Sequence, residues 1–201
     1  MVMVRSVSTA DDMVDQATEP KLSFRPLTDD DLPLLHGWLN EPGVVRFWEG
    51  DDVSWEGVVR DYGSAGWDDA EHWLALLDGQ PVGWIQCYPW AGDPEEAAAY
   101  WSLGVDRTAA GIDYLIGDVA ARGRGIGSAM IRTFVDEIVF GRHPEWTQAA
   151  TAANQDNVAS WRALEKAGFR FLGTFDDEHG TFRAMVRDRD RAVGDRTLRP
   201  S

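Results

Sequence analysis

The 201-residue sequence contains a single cysteine, Cys87, which excludes an internal disulfide and any metal cluster held by several thiolates. It contains no apolar run of the about 18 residues that a membrane-spanning helix requires. Basic residues are also scarce, since 19 Lys and Arg stand against 34 Asp and Glu, giving a formal net charge of -15. Such a charge repels the phosphates of nucleic acids. These shortages predict a protein that binds neither nucleic acid nor membrane.

The chain divides by composition into one long domain and two short ends. Residues 1–20 are polar and acidic and are predicted to be disordered, and residues 190–201 are predicted to form a charged tail. The N-terminus lacks a basic region followed by an apolar core, so we expect no secretory signal and a cytoplasmic protein. Residues 21–189 are long enough for a single well-buried domain, within which we interpret Cys87 as a buried, inert thiol.

Hydrophobic periodicity predicts a mixed α/β domain in the order β-α-α-β-β-(β)-β-α-β-α-β-β. The predicted strands are Lys21–Leu27, His72–Leu77, Val82–Tyr88, Ile112–Val119, Thr147–Ala153, Phe169–Phe175 and Thr181–Val186. Thr28 and Asp31 have the spacing of a capping box at the start of the first helix. Asp78 and Gly79 predict a hairpin turn, and Pro89–Ala97 is predicted to be a loop.

The most informative motif is Arg122–Gly127, which reads Arg-Gly-Arg-Gly-Ile-Gly between the predicted strand Ile112–Val119 and an amphipathic helix. That helix places Ile126, Met130 and Phe134 four residues apart on one face. A strand, a glycine turn and a helix start direct unpaired backbone N–H groups at one point, which predicts a phosphate-binding cradle. The spacing fits neither the Gly-x-x-x-x-Gly-Lys-Ser/Thr nucleotide loop nor the Gly-x-Gly-x-x-Gly dinucleotide fingerprint.

A second motif, Asn157–Phe169, follows about thirty residues after the first and ends Glu-Lys-Ala-Gly-Phe. Gly168 stands where a left-handed residue would end the helix. Together with the Arg-x-x-Gly-x-Gly loop, this ending resembles the GNAT acyltransferases. The resemblance implies the GNAT fold, a mixed central sheet flanked by helices with the acetyl-CoA loop between a central strand and a helix. It also implies acetyl-CoA as co-substrate. The histidines show no metal-ligand spacing, and no metal is predicted.

A narrower resemblance, over about Leu22–Arg187, is to the aminoglycoside 6'-N-acetyltransferases. It rests on His36–Asn40, Val44–Trp48 and Gly111–Asp113 together with the two coenzyme motifs. It implies that the protein transfers an acetyl group to a primary amine of a small cationic molecule. The implied molecule is an aminoglycoside, acetylated at its 6'-amino group. The resemblance also implies a monomer or a homodimer. A protonated amine cannot attack a thioester, so the site must remove a proton. Asp113, where the family's catalytic carboxylate falls, is the predicted general base.

The remaining site residues fall into a coenzyme set and a substrate set. Coenzyme contacts are expected from the strand end, the glycine loop and the start of the last helix: Leu115, Gly117, Val119, Arg122, Gly123, Arg124, Gly125, Ile126, Gly127, Ser128 and Asn157. Substrate contacts are expected from aromatic residues for sugar rings and carboxylates for ammonium groups: Trp48, Glu49, Tyr100, Trp101, Asp106 and Asp113. The same aromatic residues fit core packing, and Asn157 also fits an ordinary helix N-cap. Both alternatives stay open.

The chain departs from the resembled family at two points. Many members carry, just before the Glu-Lys pair, a tyrosine that can protonate the leaving thiolate, and Leu164 stands there instead. Water, Ser160 or Tyr114 can supply that proton, or the thiolate can leave unassisted. Thr151–Ala153 stands where the antibiotic-modifying members carry an acidic residue.

Two other functions remain as alternatives. One is a GNAT acyltransferase of a lysine-like siderophore precursor, which would require a catalytic histidine, for which His72 is the nearby choice. The other is an acyl-CoA-binding module without catalysis, which is supported by Leu164 in place of the family's proton-donating tyrosine.

Overall fold

The computed structural model describes residues 21–48, 51–66, 69–90 and 94–189, with the side chains of 94–96 excepted. The strands are β1 Leu22–Pro26, β2 Glu71–Leu77, β3 Gln80–Pro89, β4 Ala110–Ile116, β5 Gln148–Asn154, β6 Arg170–Asp177 and β7 Gly180–Asp188. They form one seven-stranded sheet in the order β1-β2-β3-β4-β5-β7-β6, antiparallel except between β4 and β5. The predicted mixed α/β sheet is confirmed. The predictions for 1–20, Glu49 and 190–201 lie outside the described residues.

Helices cover both faces of this sheet. They are α1 Leu32–Leu39, α2 Pro42–Val45, α3 Trp55–Tyr62, α4 Pro94–Ser102, α5 Ile126–Phe134, α6 Phe140–Arg142 and α7 Val158–Lys166. On one face α1 and α3 bury Leu35 and Val58 with Trp84 of β3. On the other face α5 buries Met130 and Phe134. Among the described residues, no helix is both long and apolar enough to cross a bilayer.

Several local predictions are confirmed by the backbone. The side chain of Thr28 accepts from the backbone of Asp31, and the side chain of Asp31 accepts from the backbone of Thr28, which completes the capping box. Asp78 and Gly79 adopt φ angles of 51° and 79°, as a tight hairpin turn requires. Gly168 has φ 95°, the left-handed geometry that ends α7.

The gap between β4 and β5 is the feature that positions the site. These parallel strands pair only at Ala110 with Ala149 and at Gly111 with Ala150, and beyond that point they diverge. Backbone N–H and C=O groups along that side of β4 therefore face the gap instead of a neighbouring strand. Such groups need partners, and a ligand with amide groups can supply them.

The strand before the glycine motif is shorter than predicted, so the prediction for its last three residues is wrong. The N–H groups of Gly117 and Asp118 both donate to the carbonyl of Val82, at 3.0 and 3.2 Å, which turns the chain away from the sheet. A 3-10 turn, Val119–Ala121, follows, and the Asp118 carboxylate accepts from the N–H of Ala120 at 2.9 Å. Asp118 thus braces the turn, as the sequence indicates.

The predicted loop Pro89–Ala97 is wrong at both ends, because Pro89 belongs to β3 and α4 begins at Pro94. The bracketed extra strand of the predicted order is wrong too, because α4 stands between β3 and β4. The run Glu95–Ala99 consists of strong helix formers, which the sequence interpretation undervalued. Tyr100 and Trp101 consequently lie on a helix, where successive side chains point in different directions.

Candidate active site

A cavity of about 1140 Å³ opens in the gap between β4 and β5. Its volume exceeds the about 300–1,000 Å³ of a pocket for one small molecule, so it has room for two substrates. Residues from both divergent strands line it, including Asp113–Ile116 on one side and Thr151–Asn154 on the other. The small side chains of Thr151, Ala152 and Ala153 keep the β5 wall open.

One end of the cavity is formed by the glycine loop and the start of α5. Gly125 is the N-cap of α5, has φ 82° and provides no side-chain cap. Gly123 has φ 72°. The first N–H groups of a helix have no acceptor within the helix, and they carry the positive end of its dipole. Both glycines, with Gly127 and Ser128, line the cavity. The predicted phosphate cradle therefore opens into it.

Basic side chains surround this coenzyme end. Arg122, Arg162 and Lys166 all line the cavity. Arg122 also braces the loop, since its Nε donates to the carbonyl of Ile116 at 3.0 Å and its Nη1 lies 2.6 Å from a Glu41 carboxylate oxygen. Its Nη2 is buried without a partner among the described residues. That nitrogen can donate to an anion.

Other predicted coenzyme residues have different surroundings. Leu115 and Asn157 line the cavity, whereas Gly117, Val119, Arg124 and Ile126 are not among its described lining residues. The ring of Trp38 covers Gly117 so closely that a Cβ there would lie 1.9 Å from it, which makes this glycine a packing requirement. The Asn157 side chain accepts from the N–H of Ser160 at 3.2 Å. Asn157 therefore caps α7 and can still donate its amide to a ligand.

Asp113 lies on β4 at the junction of the two ends of the cavity. Gln86 of β3, its cross-strand partner, donates to its carboxylate at 2.7 Å. Burial raises the pKa of Asp113, the negative charge of Asp51 raises it further, and hydrogen bonds from Gln86 and Tyr88 lower it. The Tyr88 ring lies across Gly111, where a Cβ would meet it at 2.3 Å. Only glycine permits this arrangement beside the carboxylate.

The opposite end of the cavity is acidic and aromatic. Its carboxylates come from the α3 flanks, β4 and the end of β6: Asp51, Asp69, Asp113 and Asp177. Its aromatic side chains come from five elements or loops: Phe47, Trp48, Tyr62, Tyr88, Tyr100 and Phe175. Desolvation raises the pKa of Asp51, and the charge of Asp61 adds to that effect. Burial and the charge of Asp51 raise the pKa of Tyr62. This acceptor end thus concentrates negative charge between aromatic walls.

The structure brings three of the predicted substrate residues together. Trp48, Tyr100 and Asp113 line the cavity. Trp101 and Asp106 are not among its described lining residues. The Asp106 carboxylate accepts from the N–H of Thr108 at 3.1 Å and from the hydroxyl of Thr147 at 3.2 Å, so it holds a loop together. The guanidinium of Arg107 lies 4.2 Å from the Trp101 ring centroid. We do not carry these two residues forward as substrate contacts.

Sequence reasoning missed several residues of the acceptor end. Gln86 is the clearest case, because it is a polar residue facing the helices from an otherwise apolar strand, and that signal was available. Asp51, Asp69 and Asp177 lie in segments far apart in the chain. Nothing local in the sequence distinguishes them from other surface carboxylates.

His72, which the siderophore alternative requires, and Cys87 both lie away from the cavity lining. His72 is buried, stacks on Trp84 with ring centroids 5.7 Å apart, and burial lowers its pKa to about 4. Cys87 is fully buried and burial raises its pKa, so the prediction of an inert thiol is confirmed. Glu71, Cys87 and His143 bring possible metal-ligating atoms within 4.8 Å of one another, outside the cavity lining.

The model of the acetyltransferase (GNAT) domain matches residues 28–177. The chain belongs to the GNAT family. Aminoglycoside N(6')-acetyltransferase type 1 of Klebsiella pneumoniae is 30% identical over 172 residues, covering 84% of this chain and 83% of that protein. N(6)-hydroxylysine O-acetyltransferase of Escherichia coli is 28% identical, covering 84% of this chain and 52% of that protein. The structure of AAC(6')-Ib with paromomycin and acetyl-CoA is 30% identical, has a TM-score of 0.74, and is matched over 87% of this chain and 98% of that chain.

Family membership confirms the predicted GNAT fold and the predicted enzyme class. This GNAT protein is an N-acetyltransferase that uses acetyl-CoA as its acetyl donor. The cradle, the three cations and the open strand gap fit that donor, because they offer N–H groups and positive charge to its phosphates and backbone partners to its amides.

Proposed function

We propose that this acetyltransferase acetylates a primary amine of a small polycationic acceptor, an aminoglycoside at its 6'-amino group, with Asp113 as the general base. One observation carries the proposal. The glycine cradle with its basic side chains, the acidic and aromatic side chains, and Asp113 all line one cavity.

The surroundings of Asp113 suit proton removal from an ammonium group. Because burial raises its pKa, the carboxylate is a stronger base than an exposed aspartate. Gln86 and Tyr88 hold it in place while leaving it within the cavity. Backbone N–H groups on the open side of β4 are suited to meet the thioester carbonyl and to stabilise negative charge that develops on its oxygen.

The acceptor end fits an aminoglycoside by both charge and shape. Aromatic faces pack against sugar rings, and the carboxylates offer partners to several ammonium groups. Thr151–Ala153 supplies no acidic contact from β5, but Asp177 places one at the end of β6 in the same cavity. The names of the 30%-identical relative and of the paromomycin complex support this acceptor class.

The siderophore alternative has less support from the site. The four aspartates of the cavity favour an acceptor with several ammonium groups, whereas hydroxylysine carries an α-carboxylate that offsets the charge of its α-ammonium. The histidine that this alternative requires, His72, is buried outside the cavity lining with a lowered pKa. The 28% identity to the hydroxylysine enzyme is the observation in its favour.

The test is the release of coenzyme thiol from acetyl-CoA with a panel of aminoglycosides, linear polyamines and N6-hydroxylysine. We expect fast turnover with aminoglycosides that bear a free 6'-amine. Turnover with hydroxylysine alone would support the alternative instead. Acetyl-CoA binding without turnover on any acceptor would favour the non-catalytic module.

A further inference from the structure

Acetyl transfer leaves a thiolate on the coenzyme, and a proton donor beside the sulfur would stabilise it. A simple thiol has a pKa of about 8.5, so its sulfur is mostly protonated near neutral pH. The C–S bond therefore breaks more easily when a donor supplies a proton to the sulfur as negative charge develops on it. Leu164 is fully buried and cannot donate a proton. The proton must therefore come from another group, such as a hydroxyl in the cavity wall between the cradle and Asp113.

Two hydroxyl groups meet at that place. The Tyr114 Oη lies 2.8 Å from the Ser160 Oγ, and both residues line the cavity. Tyr114 follows Asp113 directly on β4, and successive side chains of a strand point to opposite faces. The base thus reaches the gap from the face of α1 and α3, while the phenol reaches it from the face of α7.

The position of Ser160 along α7 places the pair between the cradle and the base. Ala163, one turn further along α7, lies 4.0 Å from the position of a Cβ on Gly127 at the cradle. Lys166 continues the same helix at the coenzyme end. Ser160 is about 9 Å from Lys166 along the helix axis, on the side toward the acceptor. On β4, Tyr114 likewise lies between Asp113 and Ile116, whose side chain is 3.6 Å from the position of a Cβ on Gly127.

We propose that Tyr114, held by Ser160, is the catalytic acid that protonates the leaving coenzyme sulfur. This inference rests on the proposed acetyl transfer and deepens it. The neutral amine attacks the acetyl carbon, the C–N bond forms, and Asp113 takes a proton from the nitrogen. The C–S bond breaks with its electron pair on sulfur, which takes the phenol proton of Tyr114. Solvent then returns the proton from Asp113 to the phenolate, so that protons balance.

The phenol carries its proton when the transfer begins. Burial and the charge of Asp113 raise the pKa of Tyr114, which makes the phenol a weaker acid, and the proton that Asp113 takes from the amine removes the second of these effects. The hydrogen bond with Ser160 acts in the opposite direction and lowers that pKa. The Tyr114 hydroxyl also donates to the backbone carbonyl of Ser160, but only at 3.4 Å, so a nearby sulfur can compete for that hydrogen. When the Ser160 hydroxyl donates to the phenol oxygen, this bond strengthens as negative charge develops on that oxygen.

The direct test uses free coenzyme A, so it needs no acceptor. The thiol pKa of bound coenzyme A is measured from thiolate absorbance, with the desulpho-coenzyme complex as blank, in the wild-type protein, Tyr114→Phe and Ser160→Ala. A phenol that donates to the thiolate lowers this pKa. We expect Tyr114→Phe to raise it by about one unit and Ser160→Ala to raise it less. An unchanged value in Tyr114→Phe would overturn the proposal.

Kinetics with any acceptor that the wild type acetylates give a second test. We expect kcat of Tyr114→Phe to fall about 100-fold with the Kd for acetyl-CoA within twofold, and kcat of Ser160→Ala to fall less. Ser102→Ala is the matched control, because its hydroxyl bonds only to the Ala99 carbonyl of its own helix. Equal losses of kcat and coenzyme affinity would instead assign Tyr114 a packing role. If no aminoglycoside turned over, the proposed acceptor would fail while the thiol titration still decided the role of Tyr114.

Discussion

The two ends of the cavity are built by the chain in different ways. The coenzyme end consists largely of backbone from one short segment, Arg122–Ser128, with φ angles that glycine adopts at Gly123 and Gly125. The acceptor end consists of side chains brought together from segments as distant as Asp51 and Asp177. A backbone site tolerates changes of side chain away from its glycines, whereas a side-chain site changes with each substitution. We therefore expect the loop to determine donor binding and the scattered carboxylates to determine acceptor choice.

The largest expected effect separates chemistry from donor binding. Asp113→Asn keeps the shape of the side chain but removes the base, so we expect kcat to fall about 1,000-fold while the Kd for acetyl-CoA stays within twofold. Steady-state kinetics and calorimetric titration of the coenzyme measure the two quantities. Asp30→Asn, at an exposed carboxylate before α1, is the control. Near-normal turnover of Asp113→Asn would remove Asp113 from the mechanism.

The next effect is confined to the coenzyme end. Gly125→Ala places a Cβ at φ 82°, which costs about 1–2 kcal/mol in this backbone conformation and distorts the cradle. We expect the affinity for acetyl-CoA to fall about tenfold, with the acceptor KM little changed. Gly37→Ala is the matched control, since a Cβ there meets nothing within 4 Å. Equal coenzyme affinity in both variants would show that the cradle does not bind the donor.

Two variants at the acceptor end should shift the pH dependence of kcat/KM in opposite directions. The acidic limb of kcat/KM follows the pKa of Asp113, because the base must be ionised. Asp51→Asn removes a negative charge that raises this pKa, so the limb should move to lower pH. Gln86→Leu removes a hydrogen bond that lowers it, so the limb should move to higher pH. Shifts of the same sign would contradict the assignment of this limb to Asp113.

The smallest effects distinguish carboxylates within the cavity from one outside its lining. Asp177→Asn should raise the acceptor KM by about two- to fivefold, with a smaller effect at high salt, because Asp177 is exposed at the cavity mouth. Asp106→Asn should leave the acceptor KM unchanged, because that carboxylate bonds to Thr108 and Thr147. KM values for the acceptor, measured in matched assays at two ionic strengths, test this difference between Asp177 and Asp106. A larger effect at Asp106 would mean that the acceptor pocket has been misplaced.

The contrast between the backbone-built coenzyme end and the side-chain-built acceptor end explains what the sequence could predict. The strand–glycine–helix pattern of Arg122–Gly127 determines the cradle locally, because positive φ angles and an uncapped helix start follow from the residues themselves. Asp113 was predicted because it ends the Gly-Ile-Asp motif, Gly111–Asp113, where the resembled family has its catalytic carboxylate. Gln86 stands out locally as a polar residue in an apolar strand, but its pairing with Asp113 follows from strand register, and Asp177 enters the site through the course of β6. No local pattern contains these two placements. Trp101 lies on α4, where the sequence interpretation did not expect a helix, and it is not among the described lining residues of the cavity.

The measurement that tests the central claim most directly compares neomycin with paromomycin, which differ in carrying an amine or a hydroxyl at the 6' position. The wild-type enzyme is assayed with each for release of coenzyme thiol from acetyl-CoA, and the product is located by NMR. The account predicts turnover of neomycin with a single new 6'-acetamide, and paromomycin binding as a competitive inhibitor without turnover. Equal turnover of both compounds, or acetylation at another amine, would contradict it.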